Sequence, residues 1–170
     1  MAPRFELTEL MPRHAAAIRE RVPVAEAATF LSLALPELWH EVKQQRRRAL
    51  SPPYVRYHGV VDQGFDLEAG LIIGAPPARS GRVRRSGLPG GAAATAWHEG
   101  AYERLGDTRQ QLTEWIAGSG LEPVEPHWEV YWTNAGSTDK VERWRTQLVW
   151  PVTRTEEGVA EDDTKSAPDD

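Results

Sequence analysis

Apolar and polar positions along the chain trace one pattern that occurs twice. In the first half, residues 13–22 read as a strand and lead into a helix over about 25–45, where Leu31, Leu35, Leu38, Trp39 and Val42 recur at helical spacing. Two strands follow, 54–60 and 65–73, and Val61-Asp-Gln-Gly64 between them carries the Asp and Gly of a hairpin turn. The second half repeats the order: a strand over 91–98, a helix over about 103–117 with Leu105, Leu112, Trp115 and Ile116 on one stripe, and strands over 128–133 and 144–152. Gly118 and Gly120 stop that second helix, and the Gly/Pro/Arg-rich stretch 74–91 is the seam between the halves. Pro36 removes an amide donor inside the first helix, which predicts either a kink or break there or a helix that starts late.

Because residues two apart in a strand share a side, the same pattern assigns faces. Trp128, Val130 and Trp132 form the apolar set that should pack under the helices, with Glu129 and Tyr131 facing the other way. In the last strand Thr146, Leu148 and Trp150 oppose Gln147 and Val149, and in the first half Glu68, Gly70 and Ile72 alternate with Leu67, Ala69, Leu71 and Ile73. The predicted fold is α+β: two β-α-β-β units forming an antiparallel sheet with both helices on one side and a central pocket.

Composition narrows the chemistry. A chain of 170 residues can bury a core of its own, and no apolar run approaches the about 20 residues of a membrane span. The amino terminus lacks the apolar stretch of a secretory signal, so a soluble, cytoplasmic protein is expected. Without cysteine there is no disulfide, thiolate nucleophile or cysteine-ligated zinc, and His98 beside Glu99 lacks metal-ligand spacing; no metal and no cofactor are expected. The net charge of -5 belongs to residues 153–170, whose seven acids face only Arg154 and Lys165. That segment reads as a disordered acidic tail, and the body before it, residues 1–152, is neutral and reads as one domain. A neutral body lacks the basic face of a nucleic-acid binder. The clusters Arg46–Arg48 and Arg79, Arg82, Arg84 and Arg85 are not interleaved with stacking aromatics and read as solvated surface.

The second half also carries a recognisable series: Gly100-Ala-Tyr-Glu-Arg-Leu-Gly106, Trp115-Ile116, Gly120-Leu-Glu-Pro123, Pro126-His-Trp-Glu-Val-Tyr131 and Trp144-Arg-Thr-Gln-Leu-Val-Trp-Pro-Val152. In the first half Glu37-Leu-Trp39, Tyr57-His-Gly59 and Asp66-Leu-Glu68 support it. In order and spacing the series resembles the GyrI-like family, whose domain is also the effector-binding half of multidrug-sensing regulators of the MerR and AraC classes. The resemblance covers about residues 5–152. It implies two units related by a pseudo-twofold axis, with small lipophilic, often cationic aromatic molecules bound centrally between them.

By motif, Glu129 matches the buried carboxylate that meets organic cations in the family's multidrug binders, and Trp97, Tyr102, Tyr131 and Val149 match wall positions. Tyr57 and Glu68 are the first-half counterparts, and Trp39 on the first helix completes the ligand-binding set, although Trp39, Trp97 and Trp150 equally suit a core. Many relatives carry a second acid where this chain has Gln147. With the first strand entered at residue 5, no helix-turn-helix is expected ahead of the domain, so direct DNA binding is not expected and signalling would need a partner protein. The leading expectation is a stand-alone small-molecule-binding protein. The alternative implied by the family is a hydrolase of cyclopropane-bearing DNA-alkylating natural products, with Glu129 or Glu68 activating water and Tyr57 or Tyr131 donating a proton. The sequence leaves the oligomeric state open.

Overall fold

The computed structural model describes residues 3–133 and 137–155. Its strands are β1 (Phe5–Leu10), β2 (Arg13–Pro23), β3 (Tyr54–Val61), β4 (Gly64–Ile73), β5 (Arg84–Leu88), β6 (Gly91–Glu99), β7 (Leu121–Pro123), β8 (His127–Thr133) and β9 (Arg145–Arg154). Helix α1 spans Ala27–Gln44 and α2 spans Leu105–Gly118, each entered through a single 3-10 turn, Val24–Glu26 and Tyr102–Arg104. All strand pairs are antiparallel, in the order β1-β6-β9-β8-β3-β4-β2-β5, with the short β7 added to β9.

Two β-α-β-β units are thus joined through β3 and β8, where Val55 lies opposite Glu129 and Tyr57 opposite His127. The sheet is curled and both helices lie on one side, α1 over β2 and β4, α2 over β6 and β7. Under α1 the buried stripe Phe30, Ala34, Leu38 and Val42 closes on Ile18, Val55, Leu67 and Leu71. Under α2, Leu105, Leu112 and Ile116 close on Ala94, Ala96, Leu148 and Trp150. The reverse face is also dry. Ala15, Tyr54, Leu88, Ala93, Trp128, Val130 and Val149 form a third cluster inside the curl.

That third cluster corrects the face assignment. Trp128 and Val130 face away from the helices, while Glu129 and Tyr131 face them. Alternation reports which residues share a side, but it names the helix side only when the other side is wet, and here both are buried. Trp132, at the strand's end, is half exposed.

Three further differences concern element limits. The seam holds β5, which pairs with β2 through Arg13 to Ala17; Arg84-Arg-Ser-Gly-Leu88 has no apolar alternation, so backbone pairing alone defines this edge. Helix α1 neither breaks at Pro36 nor starts late: the proline is exposed and the helix runs through it. Strand β9 continues through Thr153 and Arg154, past the expected domain limit at Val152, because β7 pairs with its end. The rest of the expected acidic tail, from residue 156, lies outside the described residues, as do 134–136 of the loop between β8 and β9. Among the described residues no helix is long and apolar enough to cross a membrane.

Candidate ligand-binding cavity

Helix α1 carries a second stripe beside its core stripe. Leu31, Leu35 and Trp39 follow one another at four-residue steps, one position on from Phe30, Ala34 and Leu38, and they line a cavity of about 940 Å³ between the helices and the sheet. Tyr57 of β3 and Phe65 of β4 line it from the sheet, Tyr102 and Arg109 from the start of α2, and Glu129 and Tyr131 from β8. The rings brace one another. Tyr57 stacks on His127 at 5.1 Å and meets Phe65 edge-on at 6.0 Å, while Tyr102 stacks on Trp144 at 4.7 Å and meets Tyr131 edge-on at 5.6 Å.

Glu129 is completely buried. A carboxylate in that position requires donors, and three converge on it: the Tyr131 hydroxyl donates to Oε2 at 2.8 Å, the Tyr57 hydroxyl donates to the same oxygen at 3.3 Å, and Arg109 Nη2 donates to Oε1. The guanidinium also lies 5.6 Å from the centre of the Tyr57 ring. Burial and then the Glu129 charge push both phenols above the ordinary tyrosine range, so they remain protonated donors. For Arg109, burial works against the charge, but the adjacent carboxylate outweighs it and the net shift is upward.

Of the residues expected at the site, Trp39, Tyr57, Tyr102, Glu129 and Tyr131 gather at this cavity. Glu68, Trp97, Gln147 and Val149 do not. Glu68 is buried on the reverse face, where it accepts from Tyr54 Oη at 2.5 Å and Ser86 Oγ at 2.8 Å and pairs with His58 Nε2 at 2.8 Å. Strand β4 holds in the first half the place of β9 in the second, so Glu68 is not the counterpart of Glu129. Gln147 and Val149 share the reverse face; Gln147 accepts from the Trp132 indole at 3.2 Å and Val149 packs in the cluster with Trp128. An acid at position 147 would therefore lie outside this cavity. Trp97 lies under the Arg145 guanidinium at 4.6 Å and lines a separate polar groove with Arg104 and Asp107.

Arg109 is the residue that sequence reasoning missed. Its signal was present: it stands four residues after Leu105 and three before Leu112, a charge at the margin of the apolar stripe. Phe65 was missed as well, although it alternates with Leu67 and so shares the helix side of β4. Among the described residues no group of three or more His, Asp or Glu side chains is arranged to hold a metal ion.

The curled sheet, the paired helices and a cavity where the two units meet define a two-unit small-molecule-binding fold. Residues 3–153 match the GyrI-like small molecule binding domain, and the chain belongs to that family. The crystal structure of the EcmrR C-terminal domain is similar with a TM-score of 0.81 at 20% identity, covering 91% of this chain and 100% of that one. A hydrolase from Listeria innocua matches with a TM-score of 0.64 at 12% identity over 88% of this chain and 92% of its own. SAV2435 bound to tetraphenylphosphonium matches with a TM-score of 0.53 at 14% identity over 88% and 94%. At such identities these likenesses concern the fold. No curated protein matches the chain by sequence.

Proposed function

We propose that this protein binds lipophilic aromatic small molecules in the cavity above Glu129. The observation that carries this reading is the pairing of a large aromatic space, about 940 Å³, with one buried polar cluster on its floor. Drug-sized ligands occupy cavities of about 300–1,000 Å³ lined mainly by apolar and aromatic groups, with a few polar groups fixing orientation. SAV2435, of similar fold, holds a lipophilic cation. In the present cavity a cation would meet a carboxylate already paired with Arg109, so flat aromatic bodies are the general class and cations a special case.

The test is a fluorescence titration with polycyclic aromatic probes, read as saturable quenching of tryptophan. Ser32 lines the cavity and is exposed, so Ser32→Trp should fill the space without disturbing the core. Affinity is expected to fall at least about tenfold, which is about 1.4 kcal/mol, with the melting midpoint unchanged. Unchanged affinity would put the ligand elsewhere.

A second reading has its own observation. Two protonated phenols share one oxygen of the same carboxylate, an acid and base couple in one cavity. Hydrolysis of a cyclopropane conjugated to a carbonyl would use it so: water bonds to the strained carbon and gives its proton to Glu129, the carbon–carbon pair moves to the carbonyl oxygen, and a phenol protonates that oxygen. Incubation with a cyclopropyl-indole electrophile, with a search for a product heavier by one water, separates turnover from binding alone.

A further inference from the structure

We infer that Arg109 sets the ligand class of this cavity, selecting aromatic molecules that carry a hydrogen-bond acceptor, a carbonyl or a carboxylate, over lipophilic cations. The inference rests on the binding reading above and narrows it. Glu129 is buried with no exposure and already takes three donors, one of them a full positive charge. An incoming cation must either approach that guanidinium, which repels it, or displace it and leave a buried ion pair broken. Both routes oppose binding. An acceptor meets the opposite situation, because Arg109 lines the cavity and keeps about a third of its side chain exposed while its charge stays in place. A ligand oxygen that meets the exposed part of this cation gains a charge-assisted hydrogen bond, about twice as strong as one between neutral groups. The guanidinium is held in place for this purpose from two sides, by the Glu129 carboxylate and by the face of Tyr57 5.6 Å away. An aromatic body beside Tyr57 and Phe65 would carry its oxygen to the same end of the cavity.

Three probes with one ring system decide the matter: an anthracene carboxylate, an acetylanthracene and an anthracenylmethyl-trimethylammonium salt, titrated by fluorescence. The protein is expected to bind the carboxylate and the ketone at least about tenfold more tightly than the ammonium, the size of a hydrogen bond to a charged donor. In Arg109→Met the order should reverse, since the same stem remains while Glu129 is left unpaired. Should that variant fold poorly, Arg109→Met combined with Glu129→Gln removes both charges, and the three affinities are expected to converge to within about threefold. A preference of the native protein for the ammonium, or the native order persisting in both variants, overturns the inference. Equal binding of all three probes by the native protein overturns it too, while leaving the binding reading intact. Absence of saturable binding by any probe refutes the binding reading, and this inference with it.

Discussion

Burying a carboxylate is tolerated only where donors surround it, and Glu129 and Glu68 meet that condition on opposite faces of one sheet. Both receive tyrosine hydroxyls, but only Glu129 also has a cation and a cavity, which is why the two acids carry different prospects for chemistry. The phenols at Glu129 give a pH signature. In an unfolded chain tyrosine ionises near pH 10, whereas burial and the neighbouring carboxylate raise Tyr57 and Tyr131 in the folded protein. Above about pH 10 the unfolded state therefore sheds protons that the folded state keeps. Their contribution to stability is complete below that pH and declines as pH climbs toward the folded-state values. Tyr131→Phe should flatten the alkaline fall in melting midpoint, and at neutral pH it should cost about 1–3 kcal/mol by leaving Glu129 short of a donor. Tyr54, raised in the same sense by burial and Glu68, preserves part of the slope. Glu129 and Tyr131 were legible in the sequence because they stand in a dense local motif. The place of Arg109 at the margin of a stripe was legible too, but its pairing with Glu129 was not, because the two are 20 residues apart and only the docking of α2 brings them together.

At the scale of elements, α1 does two jobs with adjacent stripes. Phe30, Ala34, Leu38 and Val42 hold the helix on the sheet, while Leu31, Leu35 and Trp39 stand over empty space. Helical spacing in the sequence merged the stripes, since a residue facing a cavity and one facing a core obey the same period. Strand β8 shows the same limit in another form: its alternation was right and its orientation inverted, because both faces of the curled sheet are dry. Pro36 lies on the exposed side of α1 and has no amide to offer the carbonyl of Ser32, a residue of the cavity wall. Pro36→Ala should complete that hydrogen bond and stabilise the protein by about 2 kcal/mol, the helical penalty of proline less its restriction of the unfolded chain. The expected result is a higher denaturation midpoint. A lower one would mean that the proline ring packs against something the helix needs.

Over the whole molecule, the repeated strand–helix–strand–strand order was readable from periodicity, but the edges of the sheet were not, for edge strands are defined by partners and not by pattern. Those edges are exchanged. Strand β1 comes before the first unit yet pairs with β6 of the second, and β5 comes before the second unit yet pairs with β2 of the first. Each unit is therefore closed by a strand that belongs, in chain order, to the other. A chain cut within residues 75–79, between β4 and β5, should yield two fragments that remain insoluble or unfolded when expressed apart and reassemble when expressed together, as read by circular dichroism and co-purification. Independent folding of either fragment would contradict this. The arrangement matches what results when a single unit pairs with its own copy by trading leading strands, and the two copies are later joined end to end. It also constrains inheritance: recombination that carries off one unit takes the other's border with it, so the two must travel through evolution together.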